Sequence, residues 1–261
     1  MDNELRSTSD VYKNFGLTNT SVSENKLPDD VRFFQKIILT KEEKSKLYIN
    51  PSFLMGTLIH DAAQSMLTKN IPITDVMPIL EKKVKAYKAK DEKDKAKVEL
   101  IAKQAESIIK NFVGEVVDLE GKDYFFDFKN LFGSVRKNKS GYAISKRKID
   151  NHIYTSDLMQ IALYSRCVKK KPCLIYATED EVMAFHEDNT PELRQDNLIK
   201  YYDELILYQK IWENKLRYAN GDIKKLASII KTDFSSIRKQ DFWWQDIPKE
   251  YLDRLYKYYG K

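Results

Sequence analysis

The sequence predicts an α/β fold: a mixed sheet flanked by helices, with further helices towards both ends of the chain. Two observations support this fold class. Apolar residues recur at helical spacing before residue 114 and after residue 191, and short apolar or aromatic runs bounded by turn residues lie between them. We expect one domain over residues 1–261, with a partly irregular segment at 1–49, a core at about 50–186 and a helical extension at 191–261.

The composition is that of a folded protein. Of the 261 residues, 42% are hydrophobic and 12% aromatic, which is enough to bury a core and too much for a disordered chain. The 45 Lys and Arg exceed the 39 Asp and Glu, and the net charge of +6 permits a nucleic-acid partner without demanding one. The sequence has no apolar run of about 18 residues and no apolar leader, so we expect no membrane span and a cytoplasmic location.

The first clear helix is predicted to start at Asn50-Pro51, because Asn suits the N-cap and Pro suits the first helical position. It runs to about residue 67. One face carries an apolar stripe, and a second stripe at a spacing of four holds Gly56, His60 and Gln64. A lone His on a helix is more often a packed core residue than a ligand, and both interpretations stay open here. Residues 77–113 predict one or two long amphipathic helices.

A β-hairpin is predicted from strands at 116–119 and 123–129 with a turn between them. Residues two apart in a strand share a face, so Asp127 and Lys129 project together while Phe126 and Phe128 take the other face and can pack on a helix. A two-residue turn places Asp118 diagonal to Asp127, and a four-residue turn places them directly opposite. An odd turn would separate them.

Two neighbouring carboxylates repel each other unless a positive charge lies between them. A divalent cation fits that position, and oxygen ligands suit Mg²⁺ or Mn²⁺. Lys129 beside such a cation can orient a water molecule or stabilise charge on a phosphoryl oxygen. The alternative is an ordinary Asp–Asp–Lys cluster on an exposed sheet face.

The second half of the predicted core continues with a loop at 133–140, a strand at 141–145, a helix at about 157–168 and strands at 174–178 and 182–185. Basic residues cluster before that helix and can neutralise phosphates, although a solvated loop is an equal alternative. They are Arg136, Lys137, Lys139, Lys146, Arg147 and Lys148. On the helix, Gln160 and Tyr164 lie four apart, where they can contact a nucleic-acid backbone or orient a site group; an ordinary half-exposed face is the alternative.

Four short motifs appear in a fixed order along residues 50–180. They are Gly56-x-x-x-His60, Gly114-x-x-x-Asp118, Asp127-Phe128-Lys129 and Gln160-x-x-x-Tyr164. This order resembles the PD-(D/E)XK nuclease superfamily, in its RecB-like and phage-exonuclease branch. The resemblance implies a restriction-endonuclease-like core with the order α-β-β-β-α-β, which is also the order read from the residues.

The resemblance also implies roles for individual residues. His60, Asp118, Asp127 and the Phe128 carbonyl would bind one or two Mg²⁺ or Mn²⁺ ions. Asp118, Asp127 and Lys129 would form the catalytic set, with Lys129 positioning or activating the attacking water. Gln160 and Tyr164 would support the site or contact DNA, and Arg136, Lys137, Lys146 and Arg147 would contribute to DNA binding.

The sequence departs from the family pattern at Asn130, where many members have Thr or Ser, at Gln64, where many have an acid, and at Val117, where the RecB-like branch often has Pro. These differences bear on cleavage polarity more than on catalysis. With only Cys167 and Cys173, we expect no iron–sulfur cluster and no disulfide framework. No G-x-x-x-x-G-K-[ST] motif is present, so we expect no ATP site.

The resulting prediction is an Mg²⁺- or Mn²⁺-dependent exonuclease on linear DNA, in phage or bacterial recombination, repair or DNA degradation. A structure- or site-specific endonuclease and a non-catalytic DNA-binding protein with the same fold are the alternatives. By analogy with phage exonucleases, a homo-oligomer and a single-strand-annealing or recombination partner are compatible with the resemblance. The residues themselves specify neither.

Overall fold

The computed structural model describes residues 12, 14–17, 27–47, 51–69, 72–117, 123–238, 243–244 and 247–260. The chain divides into two compact units: a central unit, Ile49–Leu198, and a terminal unit made of Met1–Tyr48 and Ile199–Lys261. The predicted core at about 50–186 lies within the central unit. Most of the two predicted flanking segments, residues 1–48 and 199–261, belongs to the terminal unit, and the single nuclease domain stays a prediction.

The central unit contains both helices and strands, and helices make up the terminal unit, as far as the chain is described. In chain order the elements are α1 (Asp29–Arg32), a π-helical turn (Phe33–Ile38), α2 (Lys41–Lys46), α3 (Pro51–Lys69), α4 (Ile73–Lys85), α5 (Glu92–Val117), β1 (Tyr124–Asn130), β2 (Val135–Asn138), β3 (Gly141–Ile144), α6 (Thr155–Cys167), β4 (Lys171–Ala177), β5 (Val182–His186), a 3₁₀ turn (Pro191–Leu193), α7 (Gln195–Ala219), α8 (Ile223–Ile229), α9 (Phe234–Arg238) and α10 (Lys249–Tyr259). None of these described helices is long and apolar enough to cross a membrane.

The described strands form two sheets. In the first, β4 lies between β1, which runs parallel to it, and β5, which runs antiparallel. The second is a two-stranded antiparallel ribbon of β2 and β3. The predicted α/β class with a small mixed sheet flanked by helices is therefore confirmed, whereas its assignment to a restriction-endonuclease-like core remains a prediction.

The predicted hairpin is wrong in its first strand. Helix α5 continues through Val117, so Val116 and Val117 are helical rather than extended. Ile101, Ala105 and Ile108 are buried at a helical spacing, and this buried ridge stabilises the helix that ends at Val117. The rest of the predicted hairpin strand and its turn, residues 118–122, lies outside the described residues, and so does Asp118.

The segment predicted as a basic loop contains a strand. β2 pairs with β3 so that Val135 faces Ile144 and Lys137 faces Tyr142. Ile144, together with Phe132 just before the ribbon, packs against the helical core of the central unit. Ribbon formation therefore satisfies backbone hydrogen bonds and anchors one end of an otherwise polar segment.

Helix α3 covers one face of the mixed sheet. Ala63 on α3 packs with Tyr124 and Phe128 of β1 and with Cys173 and Ile175 of β4. Asn130 Nδ2 donates a hydrogen bond to the Gly56 carbonyl at 3.3 Å, which ties the end of β1 to the same helix. Because side chains alternate along a strand, Asp127 and Lys129 must point to the opposite face, where α6 lies.

The terminal unit has a separate aromatic core. Phe33 and Phe34 from the π-helical turn pack with Trp212, Trp244 and Leu255. The Phe34 and Trp244 rings lie 5.2 Å apart. Residues 191–219 and 249–259 are helical, apart from a few turn residues, as their spacing predicts. This unit contains none of the predicted site residues.

Candidate functional site

Asp127 and Lys129 form a buried ion pair on the α6-facing side of β1. Lys129 Nζ lies 2.9 Å from Asp127 Oδ2. Asp127 is only 3% exposed, and the Lys129 side chain is 19% exposed. The position of the pair follows from strand alternation, since residues two apart share a face. The ion pair is thus sheltered from water. Electrostatic interactions are stronger in such a buried place than at the surface.

Gln160 and Tyr164 of α6 extend this cluster towards solvent. Lys129 Nζ donates a hydrogen bond to Gln160 Oε1 at 2.7 Å, and Gln160 Nε2 donates to the Tyr164 hydroxyl at 2.7 Å. One helical turn separates Gln160 from Tyr164, and Tyr164 is 38% exposed. The structure therefore joins two of the predicted motifs, and it gives Lys129 a path of polar side chains to the surface.

Asp157 is a member of the cluster that sequence reasoning missed. Its Oδ1 lies 3.8 Å from Lys129 Nζ, and it is only 7% exposed. The Tyr176 hydroxyl donates to Asp157 Oδ2 at 2.8 Å and accepts a hydrogen bond from the Tyr154 backbone N–H at 3.1 Å. Burial raises the pKa of the Tyr176 phenol, and the Asp157 carboxylate raises it further, so the hydroxyl stays a donor. The available signal was the position of Asp157, one helical turn before Gln160.

The cluster carries more negative than positive groups. Two carboxylates share one ammonium in a largely buried place, which leaves one formal negative charge without a cation among these three side chains. Asp127 Oδ2 is buried and accepts no hydrogen bond of good geometry among the described residues, despite its proximity to Lys129. A buried carboxylate oxygen with spare acceptor capacity fits a divalent cation such as Mg²⁺ or Mn²⁺.

His60 lies on the other side of β1. Its ring packs edge-to-face on the Phe128 ring with centroids 6.0 Å apart, on the face covered by α3. Asp127 precedes Phe128 in the strand, so their side chains point to opposite faces. Within the described ranges, no three His, Cys, Asp or Glu side chains are grouped closely enough to hold a metal ion. Asp118 lies outside the described residues, so its place beside Asp127 stays a prediction, whereas His60 and Asp127 lie on opposite faces of β1.

The Phe128 carbonyl points away from strand β4. The Leu131 N–H donates to the Ala177 carbonyl, and the Lys171 N–H donates to the Asp123 carbonyl, so the odd-numbered residues at both ends of β1 bond to β4. Since backbone groups alternate in direction along a strand, the Phe128 carbonyl is directed away from β4. It lies next to Asp127 in sequence, and its role as a metal ligand stays a prediction.

The predicted DNA-contacting cations lie on or beside the β2–β3 ribbon. Arg136, Lys137 and Arg147 are exposed, and Lys146 forms an ion pair with Asp180 at 2.8 Å. Lys137 Nζ lies 6.0 Å from the centre of the Tyr142 ring. The base of the ribbon is tight: a Cβ at Gly133 would lie 1.6 Å from the Ser145 carbonyl oxygen, so only glycine fits. The ribbon starts a few residues after Asn130, at the same end of β1 as Lys129.

Comparison of the chain with family models, with curated proteins and with solved structures finds no match. Any functional conclusion therefore depends on the motifs and on the geometry of the site. The described site presents a buried carboxylate at Asp127, a fixed ammonium at Lys129 and an exposed phenol at Tyr164. These are groups suited to chemistry on a phosphate ester.

Proposed function

We propose that this protein is a metal-dependent DNA nuclease, and specifically an exonuclease acting on linear DNA. The observation that carries the proposal is the contact of the Asp127–Lys129 pair with the Gln160–Tyr164 pair. These residues come from two motifs that lie 31 positions apart in the chain and share hydrogen bonds in one cluster. Such convergence favours a site over a chance Asp-x-Lys on a sheet face.

Each residue of the cluster has a definite task in this proposal. Asp127 would hold the metal ion, with the Phe128 carbonyl as a neighbouring ligand and with Asp118 as a further candidate. The bound ion would polarise the scissile phosphate and lower the pKa of a water molecule. Lys129, held by Gln160, stabilises negative charge that develops on a phosphate oxygen. Tyr164 lies at the exposed end, where the DNA backbone would approach.

The charge distribution of the central unit supports DNA as the substrate. Exposed cations of the β2–β3 ribbon follow the strand that carries Lys129, so a duplex bound along the ribbon would have its phosphates close to the site. The ribbon carries neither a recognition helix nor a zinc module, which favours backbone binding without sequence readout.

A cleavage assay tests the proposal. Purified protein is incubated with end-labelled linear duplex and with closed circular duplex, in Mg²⁺, in Mn²⁺ and in EDTA. We expect degradation of the linear DNA that depends on the metal, with the circle left intact. Cutting of the circle would favour the endonuclease alternative. DNA binding without cleavage in either metal would contradict the nuclease and favour the non-catalytic alternative.

A further inference from the structure

Lys129 is shared by two carboxylates that belong to different elements. Asp127, on the same strand, lies at 2.9 Å, and Asp157, on α6, lies at 3.8 Å. Asp127 is the nearer partner, but it is also the carboxylate proposed to hold the metal. A divalent cation at Asp127 would compete with the ammonium for the same oxygens and would repel it. Lys129 then needs a second counter-charge in order to stay beside the reacting phosphate.

Asp157 is fixed independently of Lys129. The Tyr176 hydroxyl donates to Asp157 Oδ2 at 2.8 Å, and the Tyr154 N–H donates to that hydroxyl at 3.1 Å. Tyr176 is fully buried, and its ring stacks on the Tyr154 ring at 5.8 Å. Burial and these two hydrogen bonds fix the Tyr176 hydroxyl, so Tyr176 orients the Asp157 carboxylate without needing the metal or the substrate.

Gln160 cannot replace Asp157 in this task. It accepts a hydrogen bond from Lys129 at 2.7 Å, which fixes the direction of the ammonium, but its amide carries no charge. Once Asp127 is engaged by a cation, Asp157 is the one carboxylate within 4 Å of Lys129 that remains, as far as the described residues show.

We propose that Asp157, oriented by Tyr176, is a positioning residue that keeps the Lys129 ammonium in place while Asp127 binds the metal. Asp157 acts through Lys129 and contacts neither the metal nor the DNA. The proposal rests on the proposed function for the metal at Asp127, whereas the coupling between Asp157 and Lys129 does not depend on it.

The coupling is tested first without metal and without DNA. Unfolding in urea is measured for Asp157→Asn, Lys129→Met and the double variant, with Asp150→Asn in place of Asp157→Asn as the matched control. We expect the effects of Asp157→Asn and Lys129→Met to be strongly non-additive, and those of Asp150→Asn and Lys129→Met to add. Additive effects for Asp157 and Lys129 would overturn the inference, whatever the protein cleaves.

The role in positioning is tested by kinetics at saturating Mg²⁺ and DNA. Asp157→Asn should lower kcat by about 10- to 100-fold, the scale of a misplaced catalytic group, with little change in the KM for DNA. In a Lys129→Ala background the same change should have no further effect. Tyr176→Phe, which keeps the carboxylate but removes its anchor, should lower kcat less.

These outcomes separate the inference from the proposed function. An equal loss from Asp157→Asn with and without Lys129 would show a general structural role and would overturn the inference while the nuclease stands. If Asp157→Asn does not fold, an unchanged kcat for Tyr176→Phe overturns it instead. Non-additive unfolding in a protein that cleaves no DNA would contradict the nuclease and support the Asp157–Lys129 pair.

Discussion

Lys129 has a different environment from the exposed lysines that the structure describes. Its ammonium contacts Asp127 and Gln160, lies near Asp157 and is mostly shielded from solvent. Surface ion pairs such as Lys85–Glu81, by contrast, have side chains more than half exposed and contribute little. A preorganised ammonium in a sheltered site can stabilise charge at no reorganisation cost, which is the main electrostatic source of catalysis.

We predict that Lys129→Ala lowers the cleavage rate by about 10²–10³, because it removes one preorganised charge-stabilising group. Metal binding should persist, since Lys129 is not a ligand, and it can be followed by titration with Mn²⁺. The exposed Lys169→Ala, at the opposite end of the parallel strands, is the control and should cleave normally. A Lys129→Ala protein that loses metal affinity but turns over at saturating metal would show that Lys129 has a structural task.

The sequence predicts several side chains of this site but not all of them. Asp127 with Lys129, and Gln160 with Tyr164, follow from the periods of a strand and a helix, which need no tertiary information. Asp157 lies one helical turn before Gln160, but its partner Tyr176 belongs to β4, whose pairing with β1 is a long-range contact that the helical period does not predict. For the same reason, a helical stripe alone could not tell that His60 packs on the Phe128 ring.

At the scale of elements, the boundary between α5 and β1 shows the limit of local patterns. Val116 and Val117 have high strand propensity, yet they end a helix of 26 residues whose buried ridge packs on α3. Tertiary packing outweighs propensity there. The strand β2 was missed for the opposite reason, because a short, polar run with two cations has no apolar alternation and is specified by its partner β3.

The β2–β3 ribbon is the element predicted to bind the DNA backbone. A double change, Arg136→Ala with Lys137→Ala, should weaken DNA binding similarly on unrelated sequences. It should also reduce the salt slope by about 0.9 for each lost phosphate contact. Binding is measured by fluorescence anisotropy across a salt titration. The rate at saturating DNA should change less, because neither residue contacts the site.

The matched control is Lys169→Ala with Lys170→Ala, an adjacent exposed pair just before β4 and therefore at the far end of the parallel strands from the ribbon. This double variant should bind DNA with nearly the same affinity and the same salt slope as the unchanged protein. Equal effects of the two double variants on DNA affinity would mean that the duplex does not bind along the ribbon. The basic region around residues 82–97 would then be the next candidate.

At the scale of the whole molecule, residues from both ends of the chain meet in the terminal unit. Arg254 of α10 donates hydrogen bonds through both terminal nitrogens to the Glu43 carboxylate, and the Thr40 N–H donates to it at 2.9 Å. The Arg254 hydrogen bond, followed by the Thr40 N–H, lowers the pKa of Glu43 from 4.5 to about 2. This ion pair joins segments that are 211 positions apart.

A lowered pKa in the folded state makes this contribution depend on pH. The stabilisation is fully present above the unfolded pKa of Glu43 and is lost as the pH falls from about 4.5 towards about 2. Glu43→Gln should therefore be less stable than the unchanged protein at pH 7, and the difference should shrink as the pH falls through that window. Urea unfolding at several pH values measures it, with Glu42→Gln as control. A difference that stays constant with pH would show that the Arg254 contact does not shift the Glu43 pKa.

The proposed role of Asp127 is to hold the metal of a DNA-cleaving site. Its most direct test is the initial rate on linear duplex DNA in Mg²⁺ for the unchanged protein, for Asp127→Asn and for Asp123→Asn. Asn keeps the shape of Asp but removes the charge that binds the cation, and Asp123 is an exposed carboxylate just before the same strand. We predict that Asp127→Asn abolishes cleavage while its melting transition remains cooperative, and that Asp123→Asn cleaves normally. Cleavage by a folded Asp127→Asn within a few-fold of the unchanged protein would show that Asp127 does not hold a catalytic metal.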